Sequence, residues 1–267
     1  MTDQDGRQRV GQGPAAVTME RVADGVWLMR GGALPPFVER IMNVYFVEDD
    51  GGVTVFDAGV RSMARHIAAV GRTMGGIKRI VLGHAHPDHR GAAARLDAPI
   101  WCHEAEAEYA EADNGQPYTD FSKLPAFTKA GPVRSAMRVF HHHLWDAGAV
   151  RVEKTLSEGD SVTGFEVVHV PGHAPGQIAL WRERDGLALS TDCFYLLDST
   201  TGEHTEPRVP HHAFNHDTMK ARASIRKLAQ LDPATCCPGH LGPLTDEART
   251  RLERAAAGNG SPPSTTA

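Results

Sequence analysis

The sequence predicts an α/β fold in which two mixed sheets pack together with helices on the outside. Three observations predict it. Strand-like segments come in two blocks, and each block is followed by helical segments. In the second block strand and turn alternate as hairpins do, not as strand and helix do in a doubly wound parallel sheet. No glycine-rich phosphate loop follows an early strand, so the usual nucleotide-binding signal is missing.

The elements follow in order. Val22–Leu28 reads as a strand with a turn or bulge at Gly25, and Ile41–Val47 as a second strand rich in sheet-favouring residues. Asp49-Asp50-Gly51-Gly52 is a strong turn, returning the chain through Val53–Phe56 to Asp57-Ala58-Gly59. Arg61–Val70 has helical composition, Ile77–Leu82 is a compact apolar strand, Gly91–Leu96 reads as a helix and Pro99–Cys102 as a short strand. Glu104–Ala112 is expected to be helical. The remainder of 103–150 is broken by Asn114-Gly115, Pro117, Pro125 and Gly131-Pro132, and is expected to form an insertion or lid. Strands resume at Val150–Val152, Ser161–Val170, Gln177–Trp181 and Leu187–Ser190; residues 196–216 read as loop. Met219–Leu231 carries Ala221, Ile225, Leu228 and Leu231 along one helical side, Thr235–Cys237 leads into Pro238-Gly239-His240, and Asp246–Ala256 is a final charged helix. Residues 17–257 thus read as one domain. The ends, 1–16 and 258–267, are polar, rich in turn-formers and expected to be disordered.

Composition narrows the function classes. The chain has 267 residues, 41% of them hydrophobic, enough for a sizeable core. Lys and Arg number 28 against 33 Asp and Glu, a net charge of −5. With no strongly basic stretch, nucleic acid is not an expected partner. No run approaches the roughly 20 apolar residues of a membrane span, and the N-terminus lacks the apolar core of an export signal. A cytoplasmic protein acting on a small-molecule substrate is the expectation, with a homodimer as the default assembly. Cys102, Cys193, Cys236 and Cys237 are expected to be free thiols.

Histidine is abundant, at 15 residues, and clustered. The stretch Val81-Leu82-Gly83-His84-Ala85-His86-Pro87-Asp88-His89 leaves a strand, so His84 and His86 can point the same way and grip one ion. Asp88 and His89 follow on the turn and can reach a second ion close by. Imidazole and carboxylate suit zinc, iron or manganese. Read alone, four such residues in six positions could also be a surface run that binds nothing, and His141–His143 is read that way. Three further ligand types stand near strand ends, where loops present functional groups: His173 in Pro-Gly-His-Ala-Pro-Gly, Asp192 after Leu187–Ser190, and His240.

With these residues the sequence resembles the metallo-beta-lactamase superfamily, whose signature is His-x-His-x-Asp-His. The resemblance extends over nearly all of residues 18–256 and takes in Asp57, Asn43 and Tyr45. It implies an αβ/βα sandwich with two divalent metal ions at one edge, zinc first, with iron or manganese as alternatives. By that pattern His84, His86 and His173 hold the first metal, Asp88, His89 and His240 hold the second, and Asp192 bridges both. Asp57 would buttress the metal loop by fixing a ligand imidazole. The chain departs from the family pattern at Gly83, where relatives usually carry Thr or Ser, at Ala92, where they often carry Gly, and at Gln177, where many carry His.

The resemblance implies a metal-dependent hydrolase, with Asp88 able to orient the nucleophile or carry a proton. Tyr195, three residues after Asp192, is similar to the tyrosine that reaches the substrate carbonyl in N-acyl-homoserine lactonases, so opening a lactone or cleaving a related ester is the first expectation. A glyoxalase II-like thioesterase is the alternative, although Arg249, Arg251 and Arg254 read as an ordinary charged helix and not as a glutathione grip. A true beta-lactamase generally lacks the bridging aspartate. Phosphodiesterase, flavodiiron and sulfur dioxygenase relatives bring extra domains or fewer ligands. A non-enzymatic metal-binding protein is the reading of another class, but structural zinc sites are closed, usually with four ligands. Leu34, Pro35, Pro36 and Phe37, with Tyr118 and Phe121, are candidates for apolar pocket walls.

Overall fold

The computed structural model describes residues 7–10, 17–30, 41–113, 145–198 and 203–258. The candidate pocket residues Leu34–Phe37, Tyr118 and Phe121, and the His141–His143 run, lie outside them, as do most of the proposed lid and the outermost parts of both ends.

The first sheet has eight strands in sequential order: β1 (Arg7–Val10), β2 (Val17–Ala23), β3 (Val26–Arg30), β4 (Asn43–Asp49), β5 (Gly52–Phe56), β6 (Ile77–Val81), β7 (Ile100–His103) and β8 (Val152–Leu156). Strands β1 to β5 pair antiparallel, and β5 to β8 pair parallel. The second sheet, of five strands, is ordered β15-β12-β11-β10-β9: β9 (Ser161–Val162), β10 (Phe165–His169), β11 (Ile178–Arg182), β12 (Leu187–Thr191) and β15 (Thr235–Pro238). A separate ribbon joins β13 (Tyr195–Leu197) to β14 (His204–Arg208). The helices are α1 (Ala64–Thr73), α2 (Pro87–Arg90), α3 (Glu104–Ala110), α4 (Thr218–Gln230) and α5 (Ala248–Ala257).

Side-chain alternation makes the layers. In β4, Tyr45 and Val47 join Phe56 and Val81 against Phe165, Val167, Ile178, Leu180 and Leu189 of the second sheet; this is the core between the sheets. Val44 and Phe46 point the other way, onto Ile67 and Val70 of α1. On the outer face of the second sheet Ala179, Trp181 and Ala188 pack against Ile225 and Leu228 of α4 and Leu252 of α5. Two sheets back to back with helices outside is an αβ/βα sandwich of mixed sheets, as expected.

Several local expectations change. Val22–Leu28 is not one strand: the chain turns at Asp24-Gly25, with Gly25 at φ +64°, and β2 and β3 form a hairpin. Arg7–Val10 is an edge strand on β2, within a stretch expected to lack structure. The expected helix at Gly91–Leu96 is only a 3-10 turn at Ala93–Arg95; the helical turn comes earlier, because Pro87 at its first position starts α2 inside the metal motif itself. The loop expected at 196–216 contains β13 and β14, whose polar, proline-containing second strand gives no sheet signal. All four cysteines are free and buried. Among the described residues no helix is long and apolar enough to cross a membrane.

Candidate metal centre

All seven expected ligands come together at one edge of the sandwich. The end of β6 delivers His84 and His86, and α2 adds Asp88 and His89. The loop from β10 to β11 brings His173, the end of β12 brings Asp192 and the end of β15 brings His240. Parallel pairing of β12 with β15 sets the last two side by side, with the Gly239 N–H donating to the Thr191 carbonyl at 2.8 Å. Gly239 has to be glycine: a Cβ there would meet Asp192 Oδ1 at 2.3 Å and His89 Cε1 at 2.5 Å.

Three groups have ligand atoms all within 4.8 Å of one another: His84–His86–His173, His84–His89–Asp192 and Asp88–His89–His240. Asp192 is central. Its Oδ2 lies 3.2 Å from His240 Nε2, 3.3 Å from His89 Nε2 and 3.4 Å from His173 Nε2. His173 Nε2 faces His86 Nδ1 at 2.9 Å. The side chain of Asp192 is 1% exposed and that of Asp88 17%, so Asp88 is the more open carboxylate.

Partners behind the ring fix which nitrogen each histidine presents. Asp57 Oδ2 accepts from His89 Nδ1 at 2.8 Å, and its Oδ1 accepts from the Gly83 N–H at 2.7 Å. Thr191 Oγ1 donates to the same Asp57 Oδ2 at 2.8 Å, so His84 Nδ1, 3.2 Å away, is the donor to Thr191. Asn215 Nδ2 donates to the Pro210 carbonyl, which leaves its Oδ1 to accept from His173 Nδ1 at 3.1 Å. In their neutral forms His84, His89 and His173 therefore turn the Nε2 lone pair inward, as metal ligands require. Tyr45 OH donates to the Pro238 carbonyl at 2.6 Å, and Asn43 Nδ2 donates to the carbonyls of Pro238 and Leu241 at 2.8 and 2.5 Å, holding the turn that carries His240.

The donor set fits a pair of cations. His84 Nε2 and Asp192 Oδ1 are buried without a hydrogen-bond partner, a costly arrangement for atoms with nothing to bind. Burial holds His84 well below the ordinary histidine range and His86 at about 3, so both rings are neutral. Burial works against protonation of His89 and His240, but the nearby carboxylates together outweigh it and raise both: Asp192, Asp57 and Asp88 for His89, and Asp192 and Asp88 for His240. Burial pushes Asp88 and Asp192 upward, and the His89 and His240 charges overcome it and hold both carboxyls down. Metal uptake would replace those imidazolium charges.

Tyr195 is brought to the same place. Its hydroxyl donates to Asp192 Oδ2 at 3.0 Å, and its ring lies 5.2 Å from that of His240 and 6.0 Å from that of His173. Burial first, then Asp192, pushes its pKa well above the ordinary value, so the hydroxyl stays protonated.

Three supporting residues escaped the sequence reading. Thr191 explains the departure at Gly83: a Cβ at 83 would sit 2.7 Å from Thr191 Cβ, so the hydroxyl beside Asp57 comes from the opposite sheet. Its position next to Asp192 at a strand end was the available signal. Asn215 and Glu106 had none; Glu106 stands in Glu104-Ala-Glu-Ala-Glu108, which reads as a solvated helix.

Comparison with known proteins agrees with this geometry. The chain is 28% identical over 225 residues to "Probable metallo-hydrolase YflN" of Bacillus subtilis (strain 168), covering 77% of this chain and 83% of that one. It is 27% identical over 227 residues to "Probable metallo-hydrolase YqjP" of the same organism, covering 79% and 70%. Among solved structures, the metallo-beta-lactamase family protein TTHA1429 from Thermus thermophilus shares the fold with a TM-score of 0.62 at 23% identity, over 89% of this chain and 80% of that one. TTHA1623, solved in a di-iron-bound form, has a TM-score of 0.54 at 26% identity, over 79% and 93%. The family model of the metallo-beta-lactamase superfamily matches residues 38–240, well over half of the chain and a span that takes in every clustered ligand from His84 to His240, and the chain belongs to that superfamily.

Proposed function

We propose that this chain opens a lactone, or cleaves a related ester, by the metal-dependent hydrolase chemistry that its clustered ligands and its family support. The observation that carries the reading is Tyr195: a protonated, buried hydroxyl bonded to the central carboxylate, Asp192, between the rings of His173 and His240. His84, His86 and His173 would hold one divalent metal, Asp88, His89 and His240 a second, with Asp192 common to both. Zinc is the first choice; iron is supported by the di-iron form of TTHA1623, and manganese would accept the same ligands. When bound, such a pair activates water and polarises a carbonyl.

The chain's own residues supply the rest. Tyr195 can exchange its bond to Asp192 for one to the substrate carbonyl oxygen and so stabilise charge developing there. Asp88, the open carboxylate, can orient the attacking water and hand its proton to the leaving oxygen. Asp57, Thr191 and Asn215 keep the imidazoles in the ligating tautomer throughout. The glutathione thioesterase alternative loses ground on α5, where Arg249 is committed to Glu253 at 3.1 Å and Arg251 to Glu206 at 2.9 Å.

The test is a screen of metal-loaded protein on homoserine lactones, simple esters and S-lactoylglutathione, with metal analysis alongside. Lactone or ester turnover is expected, and Tyr195→Phe should lower it about 100- to 1,000-fold with metal content unchanged. Preference for the thioester, or a Phe variant as fast as the parent, would refute the substrate assignment. Two bound metals with no hydrolysis of any of these would favour a metal-binding protein instead.

A further inference from the structure

Glu106 takes no part in the chemistry above, yet it is completely buried, while Glu104 and Glu108 of the same helix are exposed. Its Oε2 accepts the N–H of Ala85 at 2.9 Å, and its Oε1 accepts the N–H of Gly176 at 2.8 Å. Ala85 stands between His84 and His86, and Gly176 follows His173 by three residues. Both donors thus belong to the loops that carry one ligand group, His84–His86–His173. The approach is close: a Cβ on Gly176 would lie 2.9 Å from Glu106 Cγ and 2.9 Å from His103 Nδ1. Burial pushes this carboxyl up to about 7 against the pull of the two N–H groups. A buried acid is costly, but here its two oxygens satisfy two buried backbone N–H groups that an apolar residue would leave unpaired.

Asp57 makes the complementary set of bonds. It receives His89, a member of the other group, together with Thr191 and Gly83. Two buried carboxylates therefore stand behind the centre: Glu106 bonds to the two loops that carry the His84–His86–His173 group, while Asp57 serves His89 directly and His84 through Thr191.

We propose that Glu106 is a positioning residue for one metal position alone: by tying residue 85 to residue 176 it sets His84 and His86 against His173, and it leaves the Asp88–His89–His240 position untouched. The assignment rests on the two-metal reading of the site. The Ile178 N–H bond to the Gly83 carbonyl ties the far end of the β10–β11 loop to the motif; without Glu106 the His173 end of that loop loses its tie to Ala85, and the three imidazoles no longer share one ion at the right spacing.

The experiment loads the protein with Co2+, strips it with a graded chelator, and follows visible absorbance and bound metal. In Glu106→Gln the amide NH2 opposes one of the two N–H donors while shape is kept. One Co2+ equivalent should leave at a chelator concentration about 10-fold or more below that of the parent, and the other should leave as in the parent. Glu106→Asp, too short to reach both donors, should fall between and serves if the Gln variant does not fold. In a His173→Ala background the Gln substitution should add nothing; in a His240→Ala background its effect should persist. Cys102→Ala, buried beside it on β7, controls for packing and should move neither step. Equal weakening of both equivalents, or of neither, overturns the assignment. A parent protein that binds only one equivalent sinks the two-metal reading itself, a distinguishable failure.

Discussion

Thr191→Val tests the network behind the metals most sharply. The side chain is fully buried and valine keeps its shape, so the change is the hydroxyl alone. That hydroxyl donates to Asp57 Oδ2 at 2.8 Å and stands 3.2 Å from His84 Nδ1. Loss of a hydrogen bond to a charged acceptor costs about 1.5–3 kcal/mol, and leaving the His84 N–H unpaired costs about 1–3 more. The added methyl returns about 1 kcal/mol through burial. The net loss is about 1.5–5 kcal/mol, or about 3–20 °C in Tm for a domain of this size. Metal affinity should fall about 10- to 100-fold, the usual consequence of removing a partner behind a ligand. Thr191→Ser retains the hydroxyl and should keep parental metal affinity, at about 1 kcal/mol for the lost methyl. Urea unfolding of the metal-free protein gives the stability difference, and chelator competition gives the affinity. A valine variant within about 0.5 kcal/mol of the parent, with unchanged metal retention, would refute the network; a serine variant as damaged as valine would place the effect in packing.

Three other outcomes follow from the same geometry. Gly83→Ala forces a Cβ against Thr191 and should cost about 1–3 kcal/mol in urea unfolding; an unchanged midpoint would show that the two sheets can separate there. Asp88→Ala should abolish hydrolysis while leaving the His84–His86–His173 position able to bind, so metal analysis should still find metal where a rate assay finds no turnover; retained turnover would remove Asp88 from the chemistry. The metal-free protein should be most stable near pH 6.5. His84, His86 and His173 are held neutral, so the stability they contribute is present above the unfolded histidine value of about 6.5 and is lost as pH falls toward their lowered values. His89 and His240 are raised, so theirs is present below that value and is lost as pH rises through their folded values. Metal loading should abolish the alkaline loss and release protons, which calorimetry in two buffers of different ionisation enthalpy would detect; a Tm of the metal-free protein that climbs steadily from pH 6 to 9 would contradict the assigned charges.

How much of this was legible in the sequence depended on which physical signal each residue leaves. The clustered residues were legible because their chemistry is rare: His84, His86, Asp88 and His89 fall within six positions, and His173, Asp192 and His240 each lie in a loop that follows a strand. The layers were legible in alternation, as Val44, Tyr45, Phe46 and Val47 face two different cores from one strand. The hairpin was half legible: Gly25 reads as a turn or bulge, but the strand-forming residues on either side of Asp24-Gly25 read as one strand, not as a pair. Strand β14, His-Thr-Glu-Pro-Arg, has no apolar period, and its place is set by tertiary partners, the β13 strand and Arg251 of α5.

The supporting residues were hidden for a different reason: their roles lie in backbone donors and in residues far away in sequence. Glu106 acts on the N–H groups of Ala85 and Gly176, one 21 positions before it and the other 70 after, and a backbone N–H is a donor that every residue type but proline carries, so neither position marks it. Thr191 is the instructive intermediate case. Position 83 departs from the Thr or Ser that the family resemblance implies there. The structure places the Thr191 side chain where a Cβ on residue 83 would stand, with its hydroxyl donating to Asp57. A contact of this kind crosses from one sheet to the other, and it is visible only once the two sheets are packed.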